Sequence, residues 1–123
     1  MPSDQEVGTF IRSTFRSVWA LELAILLREN RERSLTHDEM VKGLRGSDLV
    51  VAQCVESLGA AGLVLPEADG SARYSPASAE LDGVMDVTEE LYAKSPDAVR
   101  RVIIAAATPG LAAFADAFKL RKD

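Results

Sequence analysis

A chain of 123 residues, 47% apolar and 27% charged, suits one globular domain with a real core; it is too short for two domains and too apolar for a disordered chain. Its net charge of −5 gives no support to a polyanion partner taken over the whole molecule. One histidine and one cysteine leave no Cys/His spacing for a metal and no internal disulfide, which suits a reducing cytoplasm.

The first residues include Asp4 and Glu6 and lack the basic stretch and apolar run of a secretory signal. From about Val7 to Arg31 there is no proline and, after Gly8, no glycine, so the segment reads as one helix. Its longest apolar stretch, Val18 to Leu27, is interrupted by Glu22. That is about half the roughly 20 residues needed to span a membrane, so it reads as a buried helix and no membrane partner is expected. Phe10, Ile11, Phe15, Val18, Trp19, Leu21, Leu23, Ile25, Leu26 and Leu27 cover more than one helical stripe. Such a helix needs cover on two sides, from the C-terminal helices of its own chain or from a second copy.

Thr36 and Glu39 have capping-box spacing, which predicts a short helix from about His37 to Leu44 with Met40, Val41 and Leu44 inward, broken by Gly46. Ser47 is a good N-cap, and Asp48 suits the first turn of the next helix. That helix carries Val51, Cys54, Val55 and Leu58 on one face and fades at Gly59 to Gly62. The period then changes: Leu63 to Leu65 reads as a strand, Asp69-Gly70 as a tight turn and Ala72 to Tyr74 as the return strand. Ser75-Pro76 has the form of a further helix start, with Leu81, Val84, Met85, Leu91 and Tyr92 buried. Ser95-Pro96-Asp97 starts another, running through Val102, Ile103 and Ile104. Pro109-Gly110 kinks or splits it, and Leu111, Phe114 and Phe118 share one face of the last piece.

Helix, short helix, glycine-containing turn, second helix and two-stranded hairpin, in that order, resembles the winged helix-turn-helix plan. The stretch Leu58-Gly59-Ala60-Ala61-Gly62-Leu63-Val64 resembles the end of the recognition helix and the start of the wing in bacterial regulators of the MarR and related types. Gly62 can take the left-handed conformation that closes a helix, and Leu63 and Val64 then tie the strand to the core. Asp69 to Tyr74 resembles the wing tip and its return strand. The resemblance implies a mainly α fold with a small β-hairpin wing, a winged helix-turn-helix with extra N- and C-terminal helices. Within one domain, 1–123, the winged-helix core covers about 18–76, the N-terminal extension 5–17 and the C-terminal extension 77–123.

By the same resemblance the chain is expected to be a transcriptional regulator that binds DNA as a dimer, its second motif helix entering the major groove. Asp48, Leu49, Val50 and Gln53 then face outward, with Ser47 close to the phosphates. Gln53 is suited to adenine, Val50 to a thymine methyl, Arg73 to the minor groove, and Lys42 and Arg45 to backbone phosphates. Charge argues the other way. Between Thr36 and Ser75 stand three basic residues against six acidic ones, a local charge of −3, and the recognition helix has no Lys or Arg. The alternative is therefore a winged-helix protein–protein interaction module that does not bind DNA, with Leu49 and Val50 on its docking face. Phe10, Phe15, Trp19, Phe114 and Phe118 form either a homodimer interface or one intramolecular core.

No chemistry of an enzyme is visible: no glycine-rich phosphate loop, no nucleophile with a nearby base and no cofactor motif. His37 reads as a surface residue and Cys54 as a small core residue, a thiol sensor being the less common alternative. Glu80, Asp82, Asp86, Glu89 and Glu90 read as a solvated face on which Asp82 and Asp86 repel each other. Glu22 is expected at an exposed edge or paired with an arginine across an interface.

Overall fold

The computed structural model describes residues 2–107. Among them are six helices, α1 (Asp4–Thr14), α2 (Val18–Glu29), α3 (His37–Leu44), α4 (Asp48–Ala60), α5 (Ala79–Lys94) and α6 (Pro96–Ala107). Two strands, β1 (Val64–Pro66) and β2 (Ala72–Tyr74), form an antiparallel pair between α4 and α5.

The single helix expected from Val7 to Arg31 is two. Phe15 leaves the helical region at φ −100°, ψ 113°, and the extended Ser17 caps α2 by accepting from the Ala20 amide. A serine cap ends one helix and begins the next without proline or glycine. The break also resolves the excess of apolar surface. α1 buries one stripe, Val7, Ile11 and Thr14, against α5 and α6, while α2 buries Ala20, Leu21, Leu23, Ala24 and Leu27 among α3, α4 and α6.

The capping box at Thr36 forms as expected, with Glu39 reaching back to the Thr36 amide at 3.0 Å. The stop after Leu44 differs from the sequence reading: Arg45, not Gly46, takes the left-handed conformation, at φ 56°. Its amide closes the helix on the Val41 carbonyl. Ser47 then caps α4 through the Val50 amide. α4 ends in a Schellman pattern, Gly62 N–H to Gly59 O and Leu63 N–H to Leu58 O, with Gly62 at φ 80°.

That turn drops the chain directly into β1, one residue later than expected. The register is Val64 opposite Tyr74, Leu65 opposite Arg73 and Pro66 opposite Ala72. The hairpin lies close on α4: a Cβ at Gly59 would sit 2.9 Å from Pro66 Cγ. Leu35, just before α3, adds a bridge to Ala72 through two backbone hydrogen bonds of 2.9 and 3.0 Å.

The helix expected from Ser75-Pro76 begins later, at Ala79 with Ser78 as its cap. The reason is backbone commitment: the Ser75 and Ala77 amides donate to Leu63 and Gly62 carbonyls, which holds residues 75–77 to the root of the hairpin. α5 buries Met85 and Thr88, whose hydroxyl donates to the Val84 carbonyl, while Leu91 faces outward rather than inward. α6 runs through Val102, Ile103 and Ile104 as expected; Val99 and Ile103 are buried on it and Ile104 is exposed. The Pro109-Gly110 break and the Leu111, Phe114 and Phe118 face lie outside the described residues.

The largest departure concerns the carboxylates of α5. Asp82, Asp86 and Glu89 converge on Arg28 of α2: Asp86 lies at 2.9 Å, Glu89 is bonded to the guanidinium, and Asp82 is 3.6 Å from Nε. Arg31 binds Asp82 at 2.9 Å, and the buried Tyr74 of β2 donates to the same carboxylate at 2.7 Å. These groups are thus a clamp joining α2, α5 and the hairpin. Glu80 and Glu90 stay outside this clamp as exposed charges. The Tyr74 hydrogen bond, then the nearby Arg31 and Arg28 cations, hold the Asp82 carboxyl below the usual range.

Arg28→Ala should leave three carboxylates crowded together and cost about 2–3 kcal/mol in urea unfolding, below the cost of a fully buried pair because Asp86 is half exposed. Because Asp82 has a lower pKa folded than unfolded, its contribution is complete above the unfolded value near pH ~4 and fades as pH falls through the folded one. The gap between wild type and variant should therefore narrow on acidification below about pH 4.

Candidate nucleic-acid interface

α3 and α4 meet across the Arg45–Ser47 turn, and their outer surfaces continue into the hairpin. Lys42, Arg45, Ser47, Asp48 and Gln53 are exposed there, and so is Arg73 on β2. Leu49 is 66% exposed in the first turn of α4. Val50 is not equivalent to it. It is half buried and packs on the core beside the Gly46 turn, so of the two apolar residues Leu49 is the one presented outward. The Ser47 hydroxyl is already engaged as acceptor for the Val50 amide.

Gln53 lines a shallow groove between the end of α1 and α4, together with Ser13, Arg16 and Glu56. Arg16 thus comes to the Gln53 side of α4 from within the same chain. On the hairpin, Arg73 is paired in register with Leu65, which is 55% exposed, so both project from the outer face of the strands.

Charge pairing divides the cations into two groups. Arg28 and Arg31 are held by α5, Arg33 by Glu39, and Arg100 by Asp97. Lys42, Arg45, Arg73 and Arg16 make no ion pair among the described residues. Most of the neighbouring carboxylates are occupied. Glu39 is bound to Arg33, which with the Thr36 amide pulls its carboxyl down to about 2. Glu67 is bonded to the Ser34 hydroxyl, and Asp69 accepts from the Ser71 amide at 2.9 Å, which lowers its pKa. Asp48 is 2.9 Å from the His37 ring. That last contact joins the first residues of α3 and α4, and eleven residues of sequence separation hid it. Of the six acidic residues between Thr36 and Ser75, Asp38 and Glu56 are left without such a partner among the described residues.

The residues considered for an interface between copies are scattered. Phe15 is 1% exposed and belongs to the chain's own core, where Phe10 meets it edge to face at 5.5 Å. Phe10 is half buried, Trp19 is 48% exposed, and Phe114 and Phe118 lie outside the described residues. Glu22 is half buried, accepts from the Tyr92 hydroxyl at 3.1 Å and has no arginine pair among the described residues of its own chain. Among the described residues no group of three or more His, Cys, Asp or Glu could hold a metal ion, and no helix is long and apolar enough to cross a membrane.

No family model, curated protein or solved structure matches this chain.

Cys54 sits on the inner face of α4 at 4% exposure, and burial pushes its thiol up, with a smaller opposing effect from a Ser17 hydrogen bond. A thiolate is the reactive form, so such a group is inert while the fold holds. An aromatic disulfide reagent at pH 7 should label Cys54 only after denaturant is added.

Proposed function

We propose that this chain is a transcriptional regulator of the winged helix-turn-helix type that binds DNA as a homodimer paired through its terminal helices. Support for the fold reading comes from the capped pair α3 and α4, the Gly62 closure, the hairpin lying on α4 and the Leu35 bridge that adds a third extended segment to it. The observation that carries the DNA reading is the sorting of charge. Lys42, Arg45 and Arg73 stand exposed around α4 and make no ion pair among the described residues, whereas four of the six nearby carboxylates are held by local partners. A formal charge of −3 overstates the repulsion a phosphate backbone meets there, since Arg33 and, when protonated, His37 neutralise two of those acids in place.

On this reading the N-terminal half of α4 lies in the major groove, Gln53 contacts a base edge, Arg73 reaches the minor groove, and Lys42 and Arg45 bind phosphates. Mobility shift with genomic fragments of the host across a salt series tests it. Arg45→Ala and Lys42→Ala should weaken retention on all sequences and each reduce the salt slope by about 1, as expected for one lost phosphate contact. Gln53→Ala should relax sequence preference at an adenine, by about 1–3 kcal/mol. No retention even at the lowest salt would remove the proposal.

One observation favours a second reading, a protein-docking module that does not itself bind DNA. Leu49 and Leu65 are 66% and 55% exposed, on α4 and on the adjacent strand. Leu49→Lys separates the two: it should strengthen retention of a nucleic acid by adding a cation, and should abolish a nuclease-resistant stoichiometric complex purified from the host.

A further inference from the structure

The outer surface of α4 is a narrow stripe. Asp48, Leu49, Ala52, Gln53, Glu56 and Ala60 are exposed on it, whereas Val51, Cys54 and Leu58 are buried and Val50 and Val55 are half buried at its flanks. Leu49 and Gln53 stand four residues apart, with Ala52 between them, so these three share one face. Asp48 is engaged at the edge of that face, its carboxylate 2.9 Å from the His37 ring on α3. α4 contains no lysine or arginine. Its N-terminal half therefore offers a partner one branched apolar side chain, one methyl group and one amide.

That set suits the major-groove edge of A·T pairs. An amide side chain bonds N6 and N7 of adenine, and thymine alone among the four ordinary bases presents a 5-methyl group, which an apolar side chain recognises. We propose that Leu49 is the residue of α4 that reads thymine, packing its isobutyl group on the 5-methyl, with Gln53 on a nearby adenine. The proposal rests on the DNA-binding reading and takes it further, from a binding face to the kind of base pair that the face selects.

Packing decides between the two apolar residues at the start of α4. Val50 is set against the core and beside the Gly46 turn, so its methyl groups are already spent inside the chain. Leu49 is 66% exposed. From Leu49 to Gln53 the helix advances about 6 Å, close to two base-pair steps of about 3.4 Å, so a helix lying along the groove sets both side chains over separate pairs. Ala52 between them keeps that approach close. A protein-docking patch would need a contiguous apolar area of a few hundred Å². The other exposed leucine of this region, Leu65, does not extend the patch. Its neighbour Pro66 is packed at Gly59, ten residues and about 15 Å of helix axis away from Leu49. The two leucines thus stand at opposite ends of α4, and Leu49 is a single apolar side chain on an otherwise polar face.

The test removes the methyl group and nothing else. Duplexes retained by the full chain from a random-sequence pool are remade with uracil in place of thymine, one position at a time, which leaves base pairing intact. At one or more positions retention by wild type should fall about fourfold, the worth of one buried methyl. Leu49→Ala, a surface change that the fold tolerates, should bind the thymine and uracil duplexes alike, near the wild-type level for uracil. Leu49→Lys gains a cation and should hold both duplexes more tightly while also losing the difference. Val50→Ala, its helices checked by circular dichroism, should keep the difference. A wild-type chain indifferent to every thymine-to-uracil change, or a Leu49→Ala variant that still discriminates, would overturn the assignment and leave the DNA reading in place. Unchanged DNA retention in Leu49→Ala, with loss of a nuclease-resistant complex, would also overturn it, by giving Leu49 to a protein. No retention from the pool even at the lowest salt would remove the assignment and the DNA reading together.

Discussion

The structure depends most on one buried cation. Arg28 projects from α2 into a position where its side chain is only 14% exposed, and burial by itself disfavours a charge there. Hydrogen bonds to Tyr74, Asp86 and Glu89 outweigh that cost and hold the guanidinium firmly protonated. Even so, its Nε finds no hydrogen-bond partner and relies on Asp82 at 3.6 Å. Two elements distant in sequence, α5 and β2, converge on this side chain of α2. α5 has just two fully buried side chains among its sixteen residues, so the ion pairs with Arg28 and Arg31 are a large share of what fixes its position on α2. Tyr74, stacked within 5.2 Å of Arg31 and 6.0 Å of Arg28, ties the return strand to the same point.

Local signals were legible in the sequence, and long-range ones were not. Thr36 with Glu39, Ser47 and Gly62 each act within a few residues of their own position, so α3, α4 and the start of the hairpin could be read directly. The break at Phe15–Ser17 was harder, because a serine cap inside an apolar run looks like any other serine until the chain is seen to turn there. Ser75-Pro76 has the form of a helix start, but its flanking amides were already claimed by Gly62 and Leu63, residues a dozen positions earlier. The acidic run on α5 looked solvated because its arginine partners lie 51 to 61 residues away.

The candidate face shows the same limit. Lys42, Arg45, Gln53 and Arg73 were identifiable from the order of elements, and all four are exposed. Val50 and Leu49, adjacent and similar in chemistry, could not be ranked until the packing turned one inward. Nor could a count of charges reveal that Arg33, outside the motif, satisfies Glu39, or that His37 reaches Asp48. Formal charge sums treat every carboxylate as unpartnered, and here four of the six have a local partner.

The Leu35–Ala72 bridge has a mechanical consequence. Its two backbone hydrogen bonds fasten the entry to α3 onto the return strand, while Gly59 meets Pro66 with no room for even a methyl group between them. The flap is thus riveted at both edges to the helices it accompanies and has no hinge of its own. Any surface laid across α4 and Arg73 together meets a rigid template, and adjustment of shape at that contact must come from the partner.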